Sequence, residues 1–429
     1  MSFNTALSGL NAAQAELNVT ANNIANVSTT GFKQSRAEFA DIFATSSFGG
    51  TGTSVGNGVL LADVAQQFGQ GNLEFSANTL DLAISGQGFF IFSASGTNSN
   101  SLFSRNGELG VDNNGFVVNN TGAQLQVFPV NPDGTVAANS LSNLIPLQLP
   151  QTAGAPTVTS EVDIGVNLQA SGGILDPLLF DPTQTATFNH STSLTVFDSL
   201  GESHVVTAYY LKLADNQWGA YYNTTDSTGA QLNIDVAGGT AGAGGQTYNE
   251  MSFDSSGNLV TTTPAAVTST AINFLNGSDI AQTITFDYTN NTTTQTSSAF
   301  TVSTLNQNGF PTGRLTGIEI SETGIVNANF SNGQTTALGK IALARFQNNQ
   351  GLSQVGNNAW KDTTDSGTPL VGEALTSSFG LVRSGALEVS NVDLTAQLVE
   401  LIAAQRNFQA NAKSIETNNT ITQAIINIR

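Results

Sequence analysis

His190 and His204 are the only histidines in this 429-residue chain, and cysteine is absent. These two imidazoles are therefore the only side chains whose ordinary pKa lies near neutrality. Each falls in or beside an expected strand, in ATFNHSTSLTV and ESHVVTAYYLKLA, with no Cys, Asp or Glu at a typical ligand spacing. A metal site needs more ligands than that, so hydrogen bonding at a surface or turn is the expectation. Asp112-Asn113-Asn114-Gly115 and Asp254-Ser255-Ser256-Gly257 start like calcium loops. Both lack the alternating oxygen ligands and the distant glutamate, and hairpin turns account for them. GGTAGAGGQ (Gly238–Gln246) has no following Lys-Ser/Thr and opens no helix, which makes it a loop rather than a phosphate cradle. No Ser/His/Asp order with a nucleophile elbow occurs. No catalytic residue, metal or cofactor is expected. With 12 Lys and Arg against 31 Asp and Glu, the net charge of −19 repels phosphate. Nucleic acid and anionic membranes are accordingly poor partners.

The residues with the clearest pattern are apolar and lie at the two ends. From Leu394, steps of four and three meet Leu398, Leu401, Gln405, Phe408, Ala412, Ile415, Asn419, Thr422 and Ile426. The same rhythm runs through Phe3, Leu7, Leu10, Gln14, Leu17, Ala21 and Ile24. Two helices with matching seams are expected, about 35 Å and 55 Å long at ~1.5 Å per residue. Ser390-x-x-Asp393 has the pattern of a capping box for the later helix. Thr29-Thr30-Gly31 should stop the earlier one, with the glycine in a left-handed cap. An intramolecular hairpin ties the ends together, yet Ala6, Ala13, Ile24, Val399, Ile402, Ile425 and Ile428 add apolar surface off or beside the seam. Such surplus surface predicts self-association through the terminal helices. Arg406 stands out in a chain this poor in cations: pairing with Glu16 or Glu400 of a neighbouring copy is weighed against a solvated face.

Between the helices the signal is β. LDLAISGQGFFIF, GELGVDNNGFVVNN, GRLTGIEISETGIVNANF and LGKIALARF alternate or run apolar between turn residues. They predict one inner β-domain from 71–150 and 297–370, with residues 151–296 inserted as a second all-β barrel or sandwich. Residues 1–30 and 386–429 form the coiled-coil-like helical termini. The fold class is mainly β with terminal α-helices, in discontinuous nested domains. Residues 31–70 and 371–385 read as connecting segments, the first carrying Phe32, Phe39 and Phe43 ahead of a glycine-rich stretch. There is no apolar run near 18 residues, so no membrane insertion is expected, and MSFNTALSGLNAAQAELN lacks the pattern of a cleaved signal. Cytosolic retention and signal-less export both fit. An all-β insert with Trp218, Tyr221 and Tyr222 also leaves room for an adhesin or glycan-binding module.

ANNIANVSTTGFK (Ala21–Lys33) resembles the N-terminal signature of the bacterial flagellar axial proteins, the rod/hook family. Ser390–Thr417 resembles their C-terminal signature, and EFADIF, NTLDLAISGQGFFIF and LFSRNGELGVDNNGFVVNNTGAQLQVF follow in the family's order between them. The resemblance covers roughly 1–150 and 300–429, and the middle matches by position alone. It singles out Asn22, Asn23, Asn26, Gly31, Phe32 and Lys33 as motif residues, with Lys33 equally compatible with a plain surface position. Thr30 stands where rod members carry proline, which places the chain nearer the hook branch, with the distal rod as the alternative. The resemblance implies a structural subunit of a flexible extracellular tube that transmits torque. The segment 31–70 would pack between subunits. Implied partners are further copies, the distal rod, the hook cap, the hook–filament junction protein and the flagellar type III export apparatus. A cysteine–lysine cross-link, formed by some members, is excluded.

Overall fold

The computed structural model describes residues 3–42, 56–94, 101–131, 134–136, 139–150, 154–289, 292–376 and 378–427. The chain is mainly β with one helix at each end, as expected: α1 (Phe3–Ala25) and α2 (Leu394–Asn427). It divides into two compact units. Unit 1 comprises Met1–Gln151, Gly317–Asn329 and Thr335–Arg429, and unit 2 comprises Thr152–Thr316 and Phe330–Gln334.

In unit 1, sequence-distant strands share one sheet. Thr335–Arg345 pairs antiparallel with both Phe89–Ser93 and Gln124–Phe128, with Leu343 opposite Phe90 and Ile341 opposite Val127. The run FFIF is continuously apolar because both faces of this sheet are covered. Phe90 and Phe92 join Leu125, Val127 and Leu343 on one side, while Phe89 and Ile91 join Phe103, Phe346 and Trp360 on the other. Residues 31–70, read as a pattern-poor connector, contain a two-stranded ribbon instead. β1 (Ser35–Asp41) pairs with β2 (Val59–Gln66), Ser35 opposite Gln66 and Asp41 opposite Val59. Phe39 lies on it, 39% exposed. Phe43 and most of the glycine-rich stretch lie outside the described residues.

Unit 2 is a sandwich. One sheet is built around His190–Phe197, Ser203–Ala214, Gln217–Thr225 and Thr247–Phe253. The other is built on Glu161–Gln169, flanked by Thr285–Asp287, Thr294–Thr296 and Thr301–Gln307. Alternate residues Val162, Ile164, Val166 and Leu168 meet Val206, Ala208, Tyr210, Trp218 and Tyr222 in its core. Because Thr301–Gln307 pairs along Glu161–Gln169, residues 297–316 go with this unit rather than with the inner β-domain. Trp218, Tyr221 and Tyr222 are all fully buried, Tyr221 in a second cluster beneath Phe180. They are core residues and offer no aromatic platform to a glycan. Asp112 and Asp254 head tight turns, each carboxylate accepting backbone N–H groups two and four residues on.

Candidate assembly site

α1 lies antiparallel along α2, but not on the expected seams. Its covered line is Ala6, Ala13, Thr20 and Asn23, and that of α2 passes through Gln397 and Ala404, all buried. Asn23 Nδ2 donates to Gln397 Oε1 at 2.9 Å, and a Cβ placed on Gly9 would come within 2.8 Å of Asn411 Oδ1. Two heptads up α1 from Gly9 therefore match two heptads back along α2 from Asn411. Small side chains at these positions let the helix axes approach closely. Phe3 and Leu7 are 49% and 39% exposed, and Leu394 and Leu398 are each 44% exposed. Ile426 is exposed too, while Leu10, Leu17, Ile24, Leu401, Phe408 and Ile415 are half-buried. The predicted seam of large residues is thus displaced by one position from the internal contact on α1. In this register α2 continues beyond the level of Phe3, with Ile421 and Ile426 exposed on the overhang.

The helix ends are set by specific hydrogen bonds. Asp393 caps α2, accepting from the N–H groups of Thr395 (2.8 Å) and Ala396 (3.1 Å). The cap thus sits three residues later than the Ser390 pattern implied. Ser390 Oγ instead accepts from Val392 N–H at 3.3 Å, in the buried approach to the helix. α1 ends at Ala25, and a turn carries the chain to Gly31, whose φ of +71° is the left-handed conformation expected of it. A side chain there would also collide with the Asn106 backbone nitrogen, 2.6 Å from its Cβ. Asn26 Nδ2 donates back to the Asn22 carbonyl at 2.9 Å. Asn23 does more: its amide donates to Ser35 O (2.8 Å) and accepts from Ser35 N–H (2.9 Å), so one buried side chain joins α1, β1 and α2.

Lys33 is not a surface residue. It is 1% exposed, and its Nζ donates to Glu388 Oε1 at 2.6 Å and Gly69 O at 2.7 Å. Arg105 Nη1 reaches the other oxygen of Glu388 at 3.0 Å, and its Nη2 donates to Gly86 O at 2.7 Å. Gly71 N–H adds a third donor to the carboxylate, and the Glu388 carbonyl accepts from Gly31 N–H. Burial lowers the pKa of Lys33 and of Arg105, with Glu388 opposing the shift in each case. This centre fastens the exit of α1, the approach to α2 and the β-structure between them. Sequence reading missed Glu388 and Arg105. The available signal was the scarcity of cations, 12 Lys and Arg against 31 Asp and Glu.

Glu16 and Glu400 do come together, but without Arg406. Glu16 is half-buried, and burial, then the charge of Glu400, raises its pKa. Glu400 accepts from Gln397 Nε2 at 2.8 Å. Arg406 is exposed and makes no ion pair among the described residues. Lys413 pairs with Glu416, one turn on along α2.

The two histidines differ in their surroundings. His190 is stacked on Phe300, with ring centroids 4.6 Å apart, and burial lowers its pKa. His204 departs from the expectation of a histidine without acidic neighbours, because the hairpin fold brings Asp198 and Glu202 beside it.

The chain is 37% identical over its full length, and over all of the relative, to the flagellar hook protein FlgE of Escherichia coli. The chain belongs to the flagellar hook protein FlgE family. Identity to the FlgE of Treponema pallidum is 30%, covering 99% of this chain and 98% of that one. Family models match in order along the chain: flagella basal body rod protein (3–33), flagellar hook protein FlgE/F/G D1 domain (83–166), flagellar basal body protein FlaE D2 domain (167–310) and flagellar basal body rod FlgEFG protein C-terminal (383–428). The first and last of these segments hold α1 with Lys33 and Glu388 with α2. The fold is similar to the crystal structure of the Helicobacter pylori hook protein FlgE2, at TM-score 0.54 and 15% identity over 74% of this chain and all of that one.

Proposed function

We propose that this chain is a structural subunit that polymerises into the flagellar hook, a flexible tube that passes torque from the rod to the filament, and that it is not an enzyme. Membership in the FlgE family supports the reading. The observation that carries it is the division of labour on the helices: small and polar residues close the internal pair and leave the large apolar residues outside. Phe3, Leu7, Leu394, Leu398 and Ile426 are the surface through which further copies join, with the half-buried Leu10, Leu17, Ile24, Leu401, Phe408 and Ile415 supporting it from beneath. Arg406, without an ion pair among the described residues, supplies the cation that the Glu16–Glu400 pair of a neighbouring copy lacks. The β1–β2 ribbon with Phe39 packs between neighbouring subunits, whereas residues 371–385, expected as a connecting segment, belong to the β-structure of unit 1: Leu370–Glu373 pairs with Thr335–Arg345 and Leu381–Ser384 with Leu82–Ser85. The proposed partners are the distal rod, the hook cap and the hook–filament junction protein. Delivery to the extracellular flagellum is by the flagellar type III export apparatus, without a cleaved signal.

Leu398→Glu and Leu7→Glu test the reading. Each replaces an exposed residue, so monomer stability should change by no more than about 0.5 kcal/mol. A carboxylate buried without a partner at every subunit contact is far more costly. Electron microscopy of concentrated protein should show tubes from the parent chain and none from either variant. Normal tubes from both variants would refute the assignment of this surface.

A further inference from the structure

Unit 2 carries a cluster for which hook architecture supplies no role. The hairpin joining His190–Phe197 to Ser203–Ala214 turns through Asp198, and Asp198 Oδ1 accepts from the N–H groups of Leu200 and Glu202, both at 2.9 Å. That fixes the carboxylate and aims Oδ2 at His204 Nε2, 3.1 Å away. Glu202 and His204 are two residues apart, so their side chains leave the same side of the chain. The His204 ring is held against Phe274, stacked with centroids 3.8 Å apart. Asp198 and His204 are buried and Glu202 is exposed, and one ligand atom from each lies within 4.8 Å of the others.

Two carboxylates converge here on a single neutral group. Asn276 Nδ2 stands 2.5 Å from Asp198 Oδ2 and 2.8 Å from Glu202 Oε2. No Lys or Arg pairs with either acid among the described residues. Ser278 N–H holds the other end of the amide at 3.0 Å, and the buried Ser278 Oγ has no hydrogen-bond partner, an unmet polar demand at the edge of the cluster. We propose that Asp198, Glu202 and His204 form a binding site for a divalent transition metal of the Zn2+ class. One imidazole nitrogen and two carboxylate oxygens are a donor set that Zn2+ accepts, with a fourth position left for water. The Asp198–His204 separation is close to the ligand–ligand edge of a tetrahedral site, roughly 3.3 Å for bonds of about 2.05 Å. Glu202, being exposed, swings in to complete the set. The ion takes the place of the Asn276 amide between the carboxylates and neutralises their charge. Its effect is to tie the turn carboxylates to the strand that carries His204, in place of their hydrogen bonds to the Asn276 amide.

The site is tested on the full chain with ZnCl2. Because the chain has two histidines, the imidazole resonances of each can be followed separately, assigned with a His190→Gln variant. Stoichiometric Zn2+ should shift the His204 resonances and leave those of His190 in place, and calorimetry should give one site per chain. Glu202→Gln, a substitution at an exposed position, should weaken that binding by about tenfold or more. Asp226→Asn, which alters a turn carboxylate outside the cluster, should change nothing. Zn2+ that leaves the His204 resonances unmoved, or that binds Glu202→Gln as tightly as the parent, would overturn the proposal.

Discussion

Glu388 balances two cations where water cannot reach, and removing it should cost more than removing either of them. With Glu388→Gln, Lys33 and Arg105 remain buried beside a neutral amide, a loss of about 3–5 kcal/mol. With Lys33→Met, the Arg105–Glu388 pair stays balanced and the loss is mainly that of the Gly69 hydrogen bond, about 1–3 kcal/mol. Urea titrations of the two variants should rank in that order, and equal losses would mean that the centre is not organised around the carboxylate. At the same scale, Glu16 makes stability depend on pH. Its folded pKa is raised, so the folded chain holds a proton that the unfolded chain releases. Stability from this group is therefore gained as pH falls through the raised value towards 4.5, and the cost of the charged form is present above it. Glu16→Gln should be the more stable protein at neutral pH, with the advantage shrinking on acidification. Melting curves at pH 7 and pH 4.5 check both halves of that statement.

On the scale of elements, α1 and α2 are paired through residues chosen for smallness, which makes the pair sensitive in the opposite sense from an ordinary apolar seam. Ala13→Leu adds a hydrophobic group yet should destabilise the helix pair by about 1–3 kcal/mol, because the site has no room for it. Gly9→Leu meets Asn411 in the same way. Circular dichroism of the monomer should register these losses, whereas Leu398→Glu should leave the helical signal intact. If Ala13→Leu stabilised the monomer, the small-residue contact line would be wrong. The strands follow the more usual logic. FFIF reads as a fully covered strand, and Val162 to Leu168 alternates as a sandwich strand should.

For the whole molecule, unit 2 enters and leaves through neighbouring segments. Thr157 and Phe310 exchange backbone hydrogen bonds in both directions, at 3.0 and 2.8 Å. Closing the chain across that point costs little loop entropy. Removing residues 158–309 behind a short glycine turn should leave unit 1 folded and able to polymerise, with tubes that are straighter or abnormally curved. Secreted, folded subunits that form no tubes would assign essential assembly contacts to unit 2.

Periodicity and turn chemistry by themselves determined the two terminal helices, the mainly β character between them and the left-handed Gly31, because each of these is written locally, while the order of short motifs carried the resemblance to the family. Which helix face turns inward was decided only in three dimensions. The largest apolar residues dominate a heptad count, but close packing selects Ala6, Gly9, Ala13 and Ala404. The same holds for Lys33, Arg105 and Glu388, and for Asp198 and His204 with Asn276. Their partners come from segments far apart in sequence, and only tertiary folding sets the burial that makes one carboxylate the counterion of two cations.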